Sequence, residues 1–348
     1  MNRGGFKMER LENKQIFGVI DATQHIESLE ALTLNRPVAS LPFSGRYRLI
    51  DFMLSNMVYA GIDSVGIFSH HLHNSLKGHI GSGKVWDLDR KNGGLFFYVQ
   101  NEHEKDNGQM LLHHNREFFL RAPYQYVIVA PSNIIGRIRI LEMLRQHKEK
   151  GALVTQAVYG GEGLPIYLLE RERLMQLLDN FDPFTPKTLT GFIEEGIRDL
   201  EKSPYQVDGL LYVVDSLNNY FTSNMDLLAL ENWKKVFPKV YPVLTKAKDE
   251  PPAKYLPNSH VVGSIVANGC IIAGSVTGSV IARGVQIAKN TLIRNCIIMP
   301  KVEIGDDCVL EGAIVDKEVI IEAGAKLQGN TQEPLVVPKG ATVYKEWM

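Results

Sequence analysis

Cysteine is scarce in this chain of 348 residues, appearing only as Cys270, Cys296 and Cys308. So small and odd a set, without zinc-like spacing, excludes a disulfide framework and a cysteine-built metal site, and it fits a reducing compartment such as the cytoplasm. Charge of one sign is also lacking. Lys and Arg number 38 against 39 Asp and Glu, a formal net charge of −1, so the basic excess of a nucleic-acid-binding surface is missing. No apolar run approaches the length of a membrane span, and residues 1–14 form a polar leader without the apolar core of a signal peptide. The expectation is a cytoplasmic protein that meets neither membrane nor nucleic acid.

What is present is an ordinary globular apolar content, 45%, on a chain too long for one core, so two domains are expected. Short apolar runs at 15–20, 63–69, 94–100, 126–130 and 152–158 read as strands, and helical spacing falls between them at 73–80, 108–121 and 140–150. Further strands are expected at 165–169 and 209–214, with helices at 171–178, 189–202 and 216–232. This alternation predicts an α/β domain over 15–235 with a mostly parallel, Rossmann-like sheet, and ligands at the carboxyl ends of its strands. Residues 236–257, punctuated by Pro238, Pro242, Pro251 and Pro252, read as a linker.

Beyond it the composition changes. Branched aliphatics recur about every six positions, among them Ile281, Ile287, Ile293, Ile298 and Ile304, with glycines between, which predicts a parallel β-helix over 258–348. Each cysteine stands beside a repeat aliphatic and reads as a small coil residue. Acyltransferases built on such coils commonly use a histidine, and after His260 this coil has none.

The stretch from Arg36 to Asn56 organises the first domain. An extended, proline-punctuated segment turns at Ser44-Gly45 into an apolar-periodic helix that ends at Gly61, with Arg46 and Arg48 at its start. Cations beside the positive end of a helix dipole call for an anionic neighbour. That neighbour is either a bound anion or a local carboxylate such as Asp51, and the spacing leaves both open.

Residues 42–56, Pro-Phe-Ser-Gly-Arg-Tyr-Arg-Leu-Ile-Asp-Phe-Met-Leu-Ser-Asn, resemble a signature of the ADP-glucose pyrophosphorylase (glucose-1-phosphate adenylyltransferase) family, which makes the glucosyl donor for glycogen and starch. Asn224-Met225-Asp226-Leu227-Leu228 and Pro251-Pro252-Ala253-Lys254-Tyr255 resemble two further landmarks. The resemblance implies a nucleotidyltransferase domain followed by a left-handed β-helix. It also implies that Arg36, Arg46 and Arg48 help bind an anionic small-molecule effector, although Val38 stands where relatives carry a lysine.

Nucleotidyl transfer needs backbone amides around the triphosphate, a basic group against developing charge, and carboxylates for Mg²⁺. The resemblance lays the family's Gly-rich phosphate loop on residues 22–29, with Thr23 and Gln24 at glycine positions and Glu27 where phosphates would lie. Each replaced glycine adds a Cβ where backbone must approach the ligand. Ser132 and Val213 fall on the two metal-binding aspartates, and residues 108–112 on the stretch over the nucleotide. The family's Glu-Lys-Pro grip on the sugar phosphate has no counterpart after Val158. Losing one charge-stabilising donor costs about 3–4 kcal/mol, so three or more losses remove on the order of 10 kcal/mol.

The resemblance therefore implies the non-catalytic, regulatory type of subunit of bacterial glycogen biosynthesis, with no catalytic residue, metal or cofactor of its own. Its expected partner is a catalytic ADP-glucose pyrophosphorylase subunit in a hetero-oligomer, expected as a tetramer, with self-association also open. Two rivals stand beside it: a weakly active glucose-1-phosphate adenylyltransferase, and a stand-alone sugar-phosphate or nucleotide-binding protein. The histidines of residues 69–73 read as a surface or helix start, and residues 160–163 as a turn between strands.

Overall fold

The computed structural model describes residues 15–69, 73–100, 108–180 and 188–345. The first domain is built on β1 (Ile16–Ala22), whose residues are all buried. Ile16 and Ile20 enter one core while Phe17 and Val19 enter another, so this run is central and covered on both faces. The hairpin β2 (Pro42–Phe43) and β3 (Tyr47–Arg48) follows, then β4 (Ser64–Ser69), β5 (Gly94–Val99), β6 (Tyr126–Pro131) and β7 (Ile134–Gly136). β8 (Val154–Tyr159), β9 (Glu162–Glu170), β10 (Lys202–Gln206) and β11 (Leu211–Val213) complete the domain. The main sheet runs β10-β8-β9-β6-β1-β4-β5, parallel except for β9. The helices Leu49–Tyr59 and Ile140–Lys150 cover one face, and Gly108–His114, Arg116–Arg121, Arg171–Asp179 and Leu189–Gly196 the other.

Several elements differ from expectation for local reasons. The helix expected to begin at the Ser44-Gly45 turn begins at Leu49, because Ser44 and Gly45 take φ of 47° and 78° and close the β2–β3 hairpin first. The expected 108–121 helix divides at Asn115, whose side-chain amide turns back onto the Leu111 carbonyl at 2.8 Å. The helix expected over 189–202 stops at Gly196, and β10 then adds an edge strand that lacks an apolar run. The 160–163 turn is the tight β8–β9 connection, with Gly160 and Gly161 at φ of 60° and 89°. Among the described residues no helix is long and apolar enough to cross a membrane.

The second domain stacks parallel strands into three sheets of six, five and five strands. Its interior is three ladders of aliphatics in register. One is Ile272, Ile287, Ile304, Ile321 and Val343; another is Val276, Ile293, Leu310 and Leu327; the third is Ile281, Ile298, Val315 and Val337. Three-sided stacking of hexapeptide repeats is the architecture of the left-handed β-helix. All three cysteines are free and buried in this interior. The coil starts inside the expected linker: Lys254–Tyr255 is already a strand, paired with Ile271–Ile272.

The two domains share a core in which Phe43, Phe52 and Tyr220 meet Ile297, Met299 and Ile314. The segment after Val236 is laid along the Leu49–Tyr59 helix. Phe237 stacks on Tyr47 at 4.6 Å, and the Leu244 amide donates to Ser55 Oγ at 2.9 Å. Two family landmarks also meet, since the Ser44 amide donates to Asn224 Oδ1 at 2.9 Å.

Candidate functional site

Two places answer to the sequence reading. The first is the carboxyl end of the sheet around β1. Asp21 is fully buried, and its two oxygens have separate tasks. Oδ1 accepts from the amide and hydroxyl of Thr23 at 2.9 and 2.6 Å, and Oδ2 accepts from the amide and hydroxyl of Thr190, both at 3.0 Å. Thr190 lies in the first turn of the Leu189–Gly196 helix, so the carboxylate also meets the positive end of that helix dipole. Gly108 packs into the same corner. A Cβ there would meet the Leu189 amide nitrogen at 2.5 Å and Thr23 Oγ1 at 2.9 Å, an approach only glycine allows.

Polar groups of the chain itself thus occupy the end of β1, where the resemblance places a phosphate loop. Ser132 and Val213, the positions the resemblance gives to metal ligands, are brought together. β11 pairs with β7 just past Ser132, and the Val214 amide donates to the Asn133 carbonyl at 2.9 Å. The Ser132 hydroxyl and the Gln24 side-chain oxygen are buried without a hydrogen-bond partner among the described residues. A neutral hydroxyl and a valine do not fit Mg²⁺, which takes carboxylate oxygens. Among the described residues no group of three or more His, Cys, Asp or Glu could hold a metal ion. His70 and His71 of the histidine run lie outside the described residues.

The second place is a cavity of about 240 Å³ where the first domain meets the coil. Arg46, Arg48, Lys246, Lys248, Arg283 and Lys317 line it. Arg48 is the residue just before the Leu49–Tyr59 helix, and its guanidinium donates to the Ser75 carbonyl at 2.7 Å and hydroxyl at 2.9 Å. Asp51, the local carboxylate that the spacing left open as a neutraliser, has other hydrogen-bond partners. One oxygen accepts the Arg48 backbone amide at 2.9 Å and the other meets His79 Nε2 at 2.6 Å. Arg46 stacks over the Tyr47 ring at 5.1 Å. Among the described residues the one carboxylate within ion-pair reach of these six cations is Glu250, 3.7 Å from Arg283.

Burial and crowding of like charge move the titration of three of these cations, Lys317, Arg48 and Lys248. Burial first, then Arg48 and Arg36, pull Lys317 down to about 7. Burial, with smaller contributions from Arg36 and Arg283, lowers Arg48 to about 10 against the opposing pull of Asp51. Arg283 and then burial lower Lys248. An anion here would relieve all three.

Arg36 has a different place. It is 4% exposed, its Nε donates to the Leu32 carbonyl at 2.8 Å, and its NH2 meets Asp316 Oδ2 at 2.5 Å. It joins the domains by a buried ion pair and is not part of the cavity lining, so the structure brings Arg46 and Arg48 together without it. Lys246, Lys248, Arg283 and Lys317 were not singled out by sequence. They are scattered over 70 positions with no shared motif, and only the docking of the coil collects them.

Comparison with known proteins gives first a class. A nucleotidyl transferase family model matches residues 27–163, and a GlmU-like C-terminal hexapeptide model matches residues 251–334. The fold and these matches define a nucleotidyltransferase-type domain joined to a hexapeptide coil. The particular family follows from whole-chain relatives. The glycogen biosynthesis protein GlgD of Bacillus subtilis is 40% identical over 332 residues, 94% of this chain and 97% of the relative. GlgD of Geobacillus stearothermophilus is 41% identical over 94% of this chain and 97% of its own length. A glucose-1-phosphate adenylyltransferase of Thermomicrobium roseum is 29% identical over 86% of this chain and 80% of its own. The chain belongs to the GlgD family of glycogen biosynthesis proteins, which is related to glucose-1-phosphate adenylyltransferases.

Proposed function

We propose that this chain is a regulatory and assembly subunit of a cytoplasmic glucose-1-phosphate adenylyltransferase, acting with a catalytic partner subunit and not by its own turnover. The observation that carries the reading is the Asp21–Thr23–Thr190 network, which fills the end of β1 with internal hydrogen bonds. A backbone cradle for phosphates needs amides free to point at the ligand. The serine and valine at the positions of the metal ligands support the same conclusion.

The purified chain, given glucose 1-phosphate, ATP and Mg²⁺, is expected to form no ADP-glucose under conditions in which a catalytic relative does. Turnover that disappears in an Asp21→Asn variant, with contaminating enzyme excluded, would instead support the weak-adenylyltransferase reading.

The remaining function is assigned to the basic cavity, as the site of an anionic effector held by Arg46, Arg48 and Lys317. Guanidinium pairs suit phosphate oxygens through charge-assisted hydrogen bonds. Lys317 makes this testable by pH. With its amine pulled down to about 7, a bound anion restores the charge and binding takes up a proton. The Lys317 contribution to inorganic phosphate affinity should therefore fall as pH rises through and above 7, an excess downward slope opposite in sign to the effect of the second ionisation of phosphate. Lys317→Gln should remove that excess slope in a calorimetric titration; an unchanged slope places the anion elsewhere.

A further inference from the structure

A second cavity, of about 190 Å³, lies in the first domain beside Tyr59, Arg137, Arg145 and Tyr241. The Leu49–Tyr59 helix separates the two: Arg48, at its start, faces the interdomain cavity, and Ser55, Asn56, Val58 and Tyr59, at its other end, line this one. An 11-residue helix spans about 16 Å, so one small ligand cannot fill both.

Its walls combine three features. Tyr241 holds φ of 62°, a left-handed conformation that a bulky aromatic residue keeps only where its surroundings impose it. Those surroundings are visible. The Tyr59 ring meets Tyr241 edge-on at 5.1 Å, the Tyr59 hydroxyl donates to the Pro242 carbonyl at 2.7 Å, and the Arg137 guanidinium stands 4.6 Å over the Tyr241 ring. Second, Arg137 and Arg145 have no carboxylate within ion-pair reach among the described residues. Glu142, the acidic residue of the lining, is already engaged by Arg139 at 3.3 Å and by the Tyr205 hydroxyl at 3.4 Å. Third, the volume is below the several hundred Å³ of a drug-sized or dinucleotide pocket.

We propose that this cavity binds a small phosphate monoester carrying a single flat ring, with the phosphate on Arg137 and Arg145 and the ring against Tyr241. Planar guanidiniums present forked donors to phosphate oxygens, and an aromatic wall fixed by backbone strain receives a ring with little loss of freedom. The site is independent of the proposed regulatory role and of the interdomain cavity.

The test is calorimetric titration of the full chain with phenyl phosphate and with inorganic phosphate, in an Arg48→Ala background that weakens the interdomain site. Phenyl phosphate should still bind, and more tightly than inorganic phosphate. Adding Arg137→Ala and Arg145→Ala should weaken it at least tenfold, as expected for losing charge-assisted hydrogen bonds. Tyr241→Gly, which tolerates the left-handed backbone, should leave inorganic phosphate binding intact and erase the preference for the ring. Both arginines are exposed and, among the described residues, unpaired with carboxylates, so their removal should leave the fold, read by far-ultraviolet circular dichroism, unchanged. Arg145→Lys, which keeps the charge and loses the fork, gives a milder variant that should bind with intermediate affinity. Failure of phenyl phosphate to bind the Arg48→Ala protein, or equal binding after loss of both Arg137 and Arg145, overturns the proposal.

Discussion

Arg36→Ala should destabilise the protein by about 3–5 kcal/mol, because it leaves Asp316 buried and uncompensated at the joint between the domains. Both side chains are almost wholly inaccessible, at 4% and 2%, and Met299 and Tyr220 pack in the same core. Asp316→Ala should cost a similar amount for the converse reason. The double change Arg36→Met with Asp316→Leu should recover most of the loss, since apolar groups of similar volume can replace a buried ion pair at little cost. Denaturant melts of the two single variants and the double variant form a cycle that reads this coupling directly. Single losses below about 1 kcal/mol would mean that solvent reaches the joint and that Arg36 is free to meet a ligand.

Asp21→Ala should cost about as much, on the order of 3–5 kcal/mol, because four donors lose a charged acceptor in a buried corner. The loss includes the favourable meeting of carboxylate and helix dipole at Thr190. Asp21→Asn, similar in shape but neutral, should lose less. This prediction separates the two functional readings at a single residue. A structural Asp21 gives a lowered melting temperature in both variants. A metal-binding or catalytic Asp21 would leave the melting temperature of Asp21→Asn near that of the unsubstituted protein while abolishing turnover.

Much of the architecture was legible because its signals are local. β1 and β6 are apolar runs buried on both faces, and the Ile140–Lys150 helix ends at Gly151, which takes the left-handed φ of 56° that closes such helices. The coil announces itself by a repeat that neither helix nor strand periodicity explains. Short or polar elements were not legible. β7 has only three residues, and β10 contains Pro204 at the sheet edge, where the missing amide does no harm.

The candidate sites divide along the same line. Arg46 and Arg48 stand out within one motif, but the four cations facing them come from the 246–248 segment and two turns of the coil. No spacing links residues that only domain docking brings together. Arg36 looked equivalent to Arg48 in sequence, and what distinguishes them is Asp316, 280 positions away.

The central claim, that this chain acts through a catalytic partner, is tested most directly by reconstitution. ADP-glucose synthesis by a catalytic adenylyltransferase subunit from the same source would be measured alone, with this chain, and with its Arg48→Ala variant, each across a titration of inorganic phosphate. The account predicts that the two chains co-purify and that the complex is faster than the catalytic subunit alone. It also predicts that Arg48→Ala still assembles but blunts the response to phosphate. A catalytic subunit whose rate and phosphate response are the same with and without this chain, and which does not co-purify with it, would contradict the account.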